Sequence, residues 1–177
     1  NCGMRGEVDW PAARDPAASE DCDTDQEFYS YAVNALRIYG TWYCSRSFFD
    51  FNLSSISSGL SIVSATLRFV TDVTWNDTVC LQKGIQSIPL TVNDYHAYTG
   101  NILGQKVVDE GTNFIDFNSD GLSYLQSVFG RTAKICMRDY DFDYLDVAPG
   151  DEGSHIESYF ADAPDVNYKP MLTITTG

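Results

Sequence analysis

Two runs of alternating carboxylates, Asp21, Asp23 and Asp25, then Asp139, Asp141 and Asp143, are the residues whose spacing first suggests chemistry. Hard oxygen ligands at every second position of a loop can converge on calcium, which makes calcium the one cofactor these residues suggest. Neither run continues as an EF-hand loop. Position six is Gln26 or Tyr144 where glycine is needed, and position twelve is Ala32 or Gly150 where glutamate is needed. The competing reading of both runs is a solvated acidic edge. A second chemistry is offered by aromatics, because sugar rings stack on exposed aromatic faces while Asp and Asn bind their hydroxyls. Trp75, Tyr140 and Tyr144 are the glycan-binding candidates, the two tyrosines standing inside the second acidic run. Catalysis is not expected: with 25 acidic residues some carboxylate pair always exists, and no G-x-S-x-G, H-E-x-x-H or phosphate-cradling glycine loop is present.

Five cysteines, Cys2, Cys22, Cys44, Cys80 and Cys136, are scattered without a C-x-x-C pair, which is not a zinc pattern. In an exported chain they suggest two disulfides and one thiol left over. Within 78–82 and 132–138 the apolar residues Val79, Leu81, Ala133, Ile135 and Met137 point one way, so Cys80 and Cys136 face the other. If those strands are neighbours, a Cys80–Cys136 disulfide is expected. Cys2, Cys22 and Cys44 then remain for bonds to the chain's own domain or between subunits.

The elements that must position these residues are strands. Period-two alternation marks 34–39, 42–53, 61–72, 78–82, 104–108, 112–117, 132–138, 155–160 and 171–176, separated by Gly, Asn, Asp and Ser. Val63, Ala65, Leu67 and Phe69 give one apolar face, and Phe49, Phe51 and Leu53 another. The fold class expected is all-β: an antiparallel jelly-roll-like sandwich. One helix interrupts the pattern, where Ser119-Asp120-Gly121 leads into Leu122, Leu125 and Phe129. Residues 1–27 have neither period and read as an extended N-terminal arm before a sandwich domain at 28–177. Trp10 is the arm's one large apolar anchor and is expected to dock in a neighbouring subunit, the competing reading being an arm that folds back on its own domain through Cys2 or Cys22.

The chain has 177 residues, 44% of them hydrophobic, enough for a single domain that buries about 70% of its unfolded surface. Its 25 acidic against 11 basic residues give a net charge of -14, which repels nucleic acid and anionic lipid. No apolar run reaches 18 residues, so no membrane insertion is expected. The chain starts at Asn1, which suggests processing, a removed signal peptide being the first explanation.

The stretches Leu36-Arg37, Arg46-Ser47, Phe49-Asp50-Phe51-Asn52-Leu53-Ser54-Ser55-Ile56 and Ser64-Ala65-Thr66-Leu67-Arg68 resemble, in order, the early motifs of the DNRLRE-type carbohydrate-binding-like sandwich modules. Tyr159-Phe160-Ala161-Asp162-Ala163 and Lys169-Pro170-Met171-Leu172-Thr173-Ile174-Thr175 are similar to that family's closing strands. The resemblance spans about residues 28–177 and is loose in its middle. It implies a jelly-roll-like sandwich of the kind found in extracellular, cell-surface and phage structural proteins. It leaves function open, since such folds host many. From these readings the expected function is a non-catalytic structural subunit of an extracellular, cell-surface or virion assembly, partnered by copies of itself or other structural subunits. The alternative is a module that binds surface glycans.

Overall fold

A computed structural model describes residues 2–22, 29–75, 77–151 and 153–177. In chain order the elements are β1 (Cys2–Glu7), α1 (Trp10–Arg14), β2 (Asp21–Cys22), β3 (Tyr29–Ile38), β4 (Thr41–Asn52), β5 (Ile62–Thr74), β6 (Thr78–Gly84), β7 (Tyr98–Val107), β8 (Gly111–Asp116), α2 (Ser119–Ser127), β9 (Thr132–Asp139), β10 (Ser154–Tyr159) and β11 (Met171–Thr176). All nine strands read from alternation are present, and the described residues add β1 and β2. Besides α2 there are three short turns of helix the alternation did not show: α1, a 3-10 turn at Val92–His96 and a π turn at Tyr140–Tyr144.

The strands form one antiparallel, strongly curled sheet around a main core, with a smaller buried cluster under the N-terminal segment, in keeping with an all-β, sandwich-like fold. The curl passes through β4. Its first half pairs β3, with Ser45 opposite Asn34, and its second half pairs β9, with Phe49 opposite Ile135. Leu67 and Phe69 of β5, Val79 and Leu81 of β6, Ile115 of β8, Ile135 and Met137 of β9 and Ile156 of β10 meet inside. Burying side chains of this size contributes about 1.5–3 kcal/mol each. Val63, the first residue of the expected β5 row, overhangs the core and is exposed. The helix α2 caps one end, with Asn118 as its N-cap accepting from Gly121 N at 2.9 Å. At Gly104 a Cβ would lie 2.6 Å from the carbonyl oxygen of Asp116, so only glycine lets β7 approach β8 this closely.

The N-terminal segment is a correction to the expected arm. Residues 2–22 fold back on their own sandwich: β1 pairs β4, with Cys2 opposite Arg46 and Glu7 opposite Trp42, and β2 pairs β1. Asp9 caps α1 by accepting from Ala12 N at 2.9 Å. Trp10 is 4% exposed and packs with Ala13, Ala35, Cys44, Tyr95 and the ring of Trp42, 6.0 Å away. It therefore docks in its own domain. The segment is held largely by polar groups, which hydropathy reading does not register: Tyr95 OH donates to the Ala13 carbonyl at 2.9 Å, and Ser19 N to the Val92 carbonyl at 2.9 Å.

The cysteines are corrected in the same way. Cys2 and Cys22 form a disulfide, while Cys44, Cys80 and Cys136 are buried thiols. β6 and β9 are neighbours, but Cys80 stands opposite Arg138 and Cys136 opposite Gln82. The two are diagonal, with Cβ atoms about 7 Å apart or slightly less in such a register, beyond the roughly 4 Å a disulfide needs. Burial pushes the Cys44 and Cys136 thiols up to about 12 and raises Cys80 as well, so none is poised to bond between subunits. The Cys2–Cys22 bond fits folding in an oxidising compartment. It closes a 20-residue separation, and replacing Cys22 by Ser is expected to cost about 3 kcal/mol in a urea melt. Mapping without reductant should link Cys2 to Cys22 and leave the other three as thiols.

Candidate functional site

The antiparallel registers bring four connections to one end of the sandwich, called here the upper end: the β3–β4 turn, the β5–β6 link, the β7–β8 turn and the 140–153 connection. The β3–β4 turn is the tight pair Tyr39-Gly40, both at positive φ, as two-residue hairpin turns require. Trp75, Tyr140, Asp141 and Tyr144 all belong to this end. Two clamps build it.

The first clamp is buried. Asp143, inside the π turn, receives Arg46 Nε at 2.8 Å and Nη2 at 2.7 Å, and Arg138 Nε at 2.9 Å and Nη2 at 2.8 Å. The carboxylate and Arg46 are fully buried, and Arg138 nearly so. Burial alone would raise the Asp143 pKa. Arg46 and then Arg138 overcome it and hold the carboxyl well below the usual range. The remaining donors are satisfied: Arg46 Nη1 bonds the Tyr95 carbonyl, Arg46 Nη2 the Arg14 carbonyl and Arg138 Nη1 the Gln82 side chain. Tyr98 lies under both guanidinium groups, at 5.1 Å and 4.1 Å. Arg14 Nε donates to the Asp143 carbonyl at 3.1 Å and its guanidinium pairs with Asp146, so the N-terminal segment is tied to the same turn. Asp139 completes the clamp by accepting from Phe142 N at 2.6 Å and Asp143 N at 3.3 Å.

The second clamp sets the exposed aromatic. Asp77 accepts from His155 N at 2.8 Å and from Trp75 N at 3.4 Å through one carboxylate oxygen, Oδ2. The Trp75 ring lies 5.0 Å from the His155 ring, tilted by 35°. Trp75 is 53% exposed although its backbone is held. His155 Nε2 lies 3.1 Å from Glu157 Oε1. On the 140–144 turn, Tyr140 and Tyr144 stack at 5.6 Å and 14°, with the Arg138 guanidinium 5.8 Å from the Tyr144 ring. Asp141 is exposed, and its charge reaches Asp77, whose pKa is raised by burial and further by Asp141.

The glycan candidates Trp75, Tyr140 and Tyr144 are thus brought to one end, and the calcium candidates are not brought together as a set. Asp139 turns in to cap the turn, Asp143 is consumed by two arginines and Asp141 faces solvent. The second triplet forms a turn and its ion pair. Asp21 is exposed on β2, and Asp23 and Asp25 lie outside the described residues. Among the described residues no three His, Cys, Asp or Glu side chains are grouped to hold a metal. Asp77, His155 and the Arg46–Asp143–Arg138 cluster were not read from the sequence. No local spacing announces Asp77: its carboxylate bonds the N–H two residues before it, the reverse of the turn in which an Asp side chain bonds the backbone two residues on.

Burial pushes the Asp139 carboxyl up to about 7, against the lowering pull of the Phe142 N–H. A raised acid binds its proton more tightly when folded, so stability is highest below the ordinary value near 3.8 and declines as pH rises to about 7. The melting temperature is expected to be higher at pH 5 than at pH 8, and Asp139→Asn to remove most of that slope. A melting temperature that climbs steadily from pH 5 to 8 would contradict this role.

No family model matches the chain, and no curated protein is similar to it. No helix among the described residues is long and apolar enough to cross a membrane.

Proposed function

We propose that the chain is a non-catalytic extracellular β-sandwich module that binds glycans at its upper end, a role in keeping with its resemblance to the DNRLRE-type carbohydrate-binding-like modules. The observation that carries this reading is Trp75, a half-exposed indole whose backbone bonds Asp77 and whose ring lies against that of His155. An apolar ring left in water on an anchored stretch of chain offers a face on which a sugar can stack. The Tyr140–Tyr144 turn at the same end, with Asp141 outward, supplies a second aromatic surface and a hydroxyl acceptor. A glycan array should give hits of millimolar to micromolar affinity that Trp75→Ala abolishes. An array without hits overturns the reading.

The second reading is a subunit of a fibre, sheath or virion decoration. It is favoured by β8, which among the described residues pairs β5 alone and carries an exposed Phe114. The N-terminal segment and the buried thiols, which turn inward, no longer support it. Polymers in size-exclusion chromatography and negative-stain microscopy would establish assembly.

A further inference from the structure

Resting on the glycan reading, we propose that the sheet face beside Trp75 carries a subsite for the acetamido group of an N-acetylated hexosamine. The strand registers build it. His155, whose ring meets that of Trp75, stands directly opposite Asn34 of β3, and Asn34 stands directly opposite Ser45 of β4. Residues directly opposite on antiparallel strands share a face, with Cβ atoms about 5 Å apart. The three therefore form a row across β10, β3 and β4 that begins at the aromatic platform and spans about 10 Å, two strand spacings.

Asn34 is 8% exposed and Ser45 7%, yet Asn34 Oδ1 and Ser45 Oγ have no hydrogen-bond partner among the described residues. Buried polar atoms are nearly always paired, because an unmet one costs stability. Two such atoms side by side, in a row that starts at an exposed indole, point to a ligand that brings the partners. Asn34 Oδ1 only accepts, and the Ser45 hydroxyl can donate. An acceptor beside a donor matches the N–H and C=O of a secondary amide, the group by which an N-acetylhexosamine differs from a plain hexose. Leu36 and Tyr43, opposite one another two residues along the same face, give the acetyl methyl an apolar surface, and half-buried Tyr43 is the side chain the incoming group displaces. A plain hexose brings one short hydroxyl to this place, without the carbonyl or the methyl.

The test titrates the intact protein with two hexasaccharides of the same linkage, one of N-acetylglucosamine and one of glucose. Both are uncharged, so the protein's net charge of -14 favours neither. The acetylated hexamer is expected to bind about ten-fold tighter, the equivalent of two hydrogen bonds. Asn34→Leu and Ser45→Ala should each narrow that gap while the melting temperature holds or rises, since each removes an unmet buried oxygen. Trp75→Ala should abolish binding of both sugars. In the wild-type protein the Asn34 side-chain amide NMR signals should shift as the acetylated hexamer is added, a readout that needs no variant to fold. Equal affinity for the two sugars, a preference that survives both substitutions, or Asn34 amide signals that hold still overturns the subsite while leaving glycan binding standing. Binding that survives Trp75→Ala overturns the platform on which both readings rest. Binding of neither sugar, coupled with an empty array, overturns both readings as well.

Discussion

Asp143→Asn is expected to destabilise the fold by about 3–5 kcal/mol, the largest loss of any single polar change in this chain. The substitution keeps shape and removes the charge, leaving Arg46, fully buried, and Arg138, nearly buried, facing one another without their shared anion. Neither guanidinium can lose its proton, so the cost cannot be escaped by titration. Since the Asp143 carboxyl is held well below the usual range, the wild-type pair keeps its contribution at and above that range. It loses it only in strong acid, as pH falls through the folded value. Urea unfolding at neutral pH measures the loss, with Asp141→Asn as the surface comparison that should stay within about 0.5 kcal/mol of wild type. A loss under about 1 kcal/mol for Asp143→Asn would mean the arginines find other partners, and the clamp would not be what fixes the turn.

Trp10→Ala is expected to cost a similar amount, about 3–5 kcal/mol, because a large aromatic leaves a cavity against Trp42, Ala35, Cys44 and Tyr95. The loss should appear as a lower urea midpoint in dilute monomeric protein, at an unchanged oligomeric state. Were Trp10 an anchor for a neighbouring subunit, the substitution would leave monomer stability alone and dissolve an assembly. The two outcomes are distinguishable in one sample by melting and light scattering together.

The strands were legible because alternation needs only the identity of every second residue, and the side-chain period of a strand is fixed by the backbone. Ala65, Leu67 and Phe69, or Ala133, Ile135 and Met137, declare one face without reference to any partner. Partners were harder. The Cys80–Cys136 pairing followed from the correct face and the correct neighbouring strands, and failed on a register offset of two residues that no single strand contains. Arg46 and Ser47 are likewise buried at a point where alternation allows only one buried face, because α1, Tyr95 and the 140–144 turn pack on the side that would meet solvent. The covering segment was itself hidden, since Arg14, Ser19 and backbone carbonyls hold it as much as Trp10 does.

The acidic run at Asp139, Asp141 and Asp143 shows why a site is harder to read than a strand. A carboxylate that caps a turn, one that pairs an arginine and one that binds calcium are the same letter. Only the positions of Phe142 N, Arg46 and Arg138 separate the first two uses from the third. The aromatic candidates fared differently because Trp75, Tyr140 and Tyr144 were placed by topology, with strand ends that meet at one end of the sheet.

The most direct test of a binding role for that end is an NMR titration of the tryptophan indole N–H signals with the N-acetylglucosamine hexamer. The chain has three tryptophans, with Trp10 buried, Trp42 partly buried against it and Trp75 exposed at the upper end. The Trp75 signal is expected to shift in a saturable way and to be absent from Trp75→Ala, while the Trp10 and Trp42 signals hold still. Three unmoved indole signals at millimolar sugar, or a shift confined to Trp10 and Trp42, would contradict it.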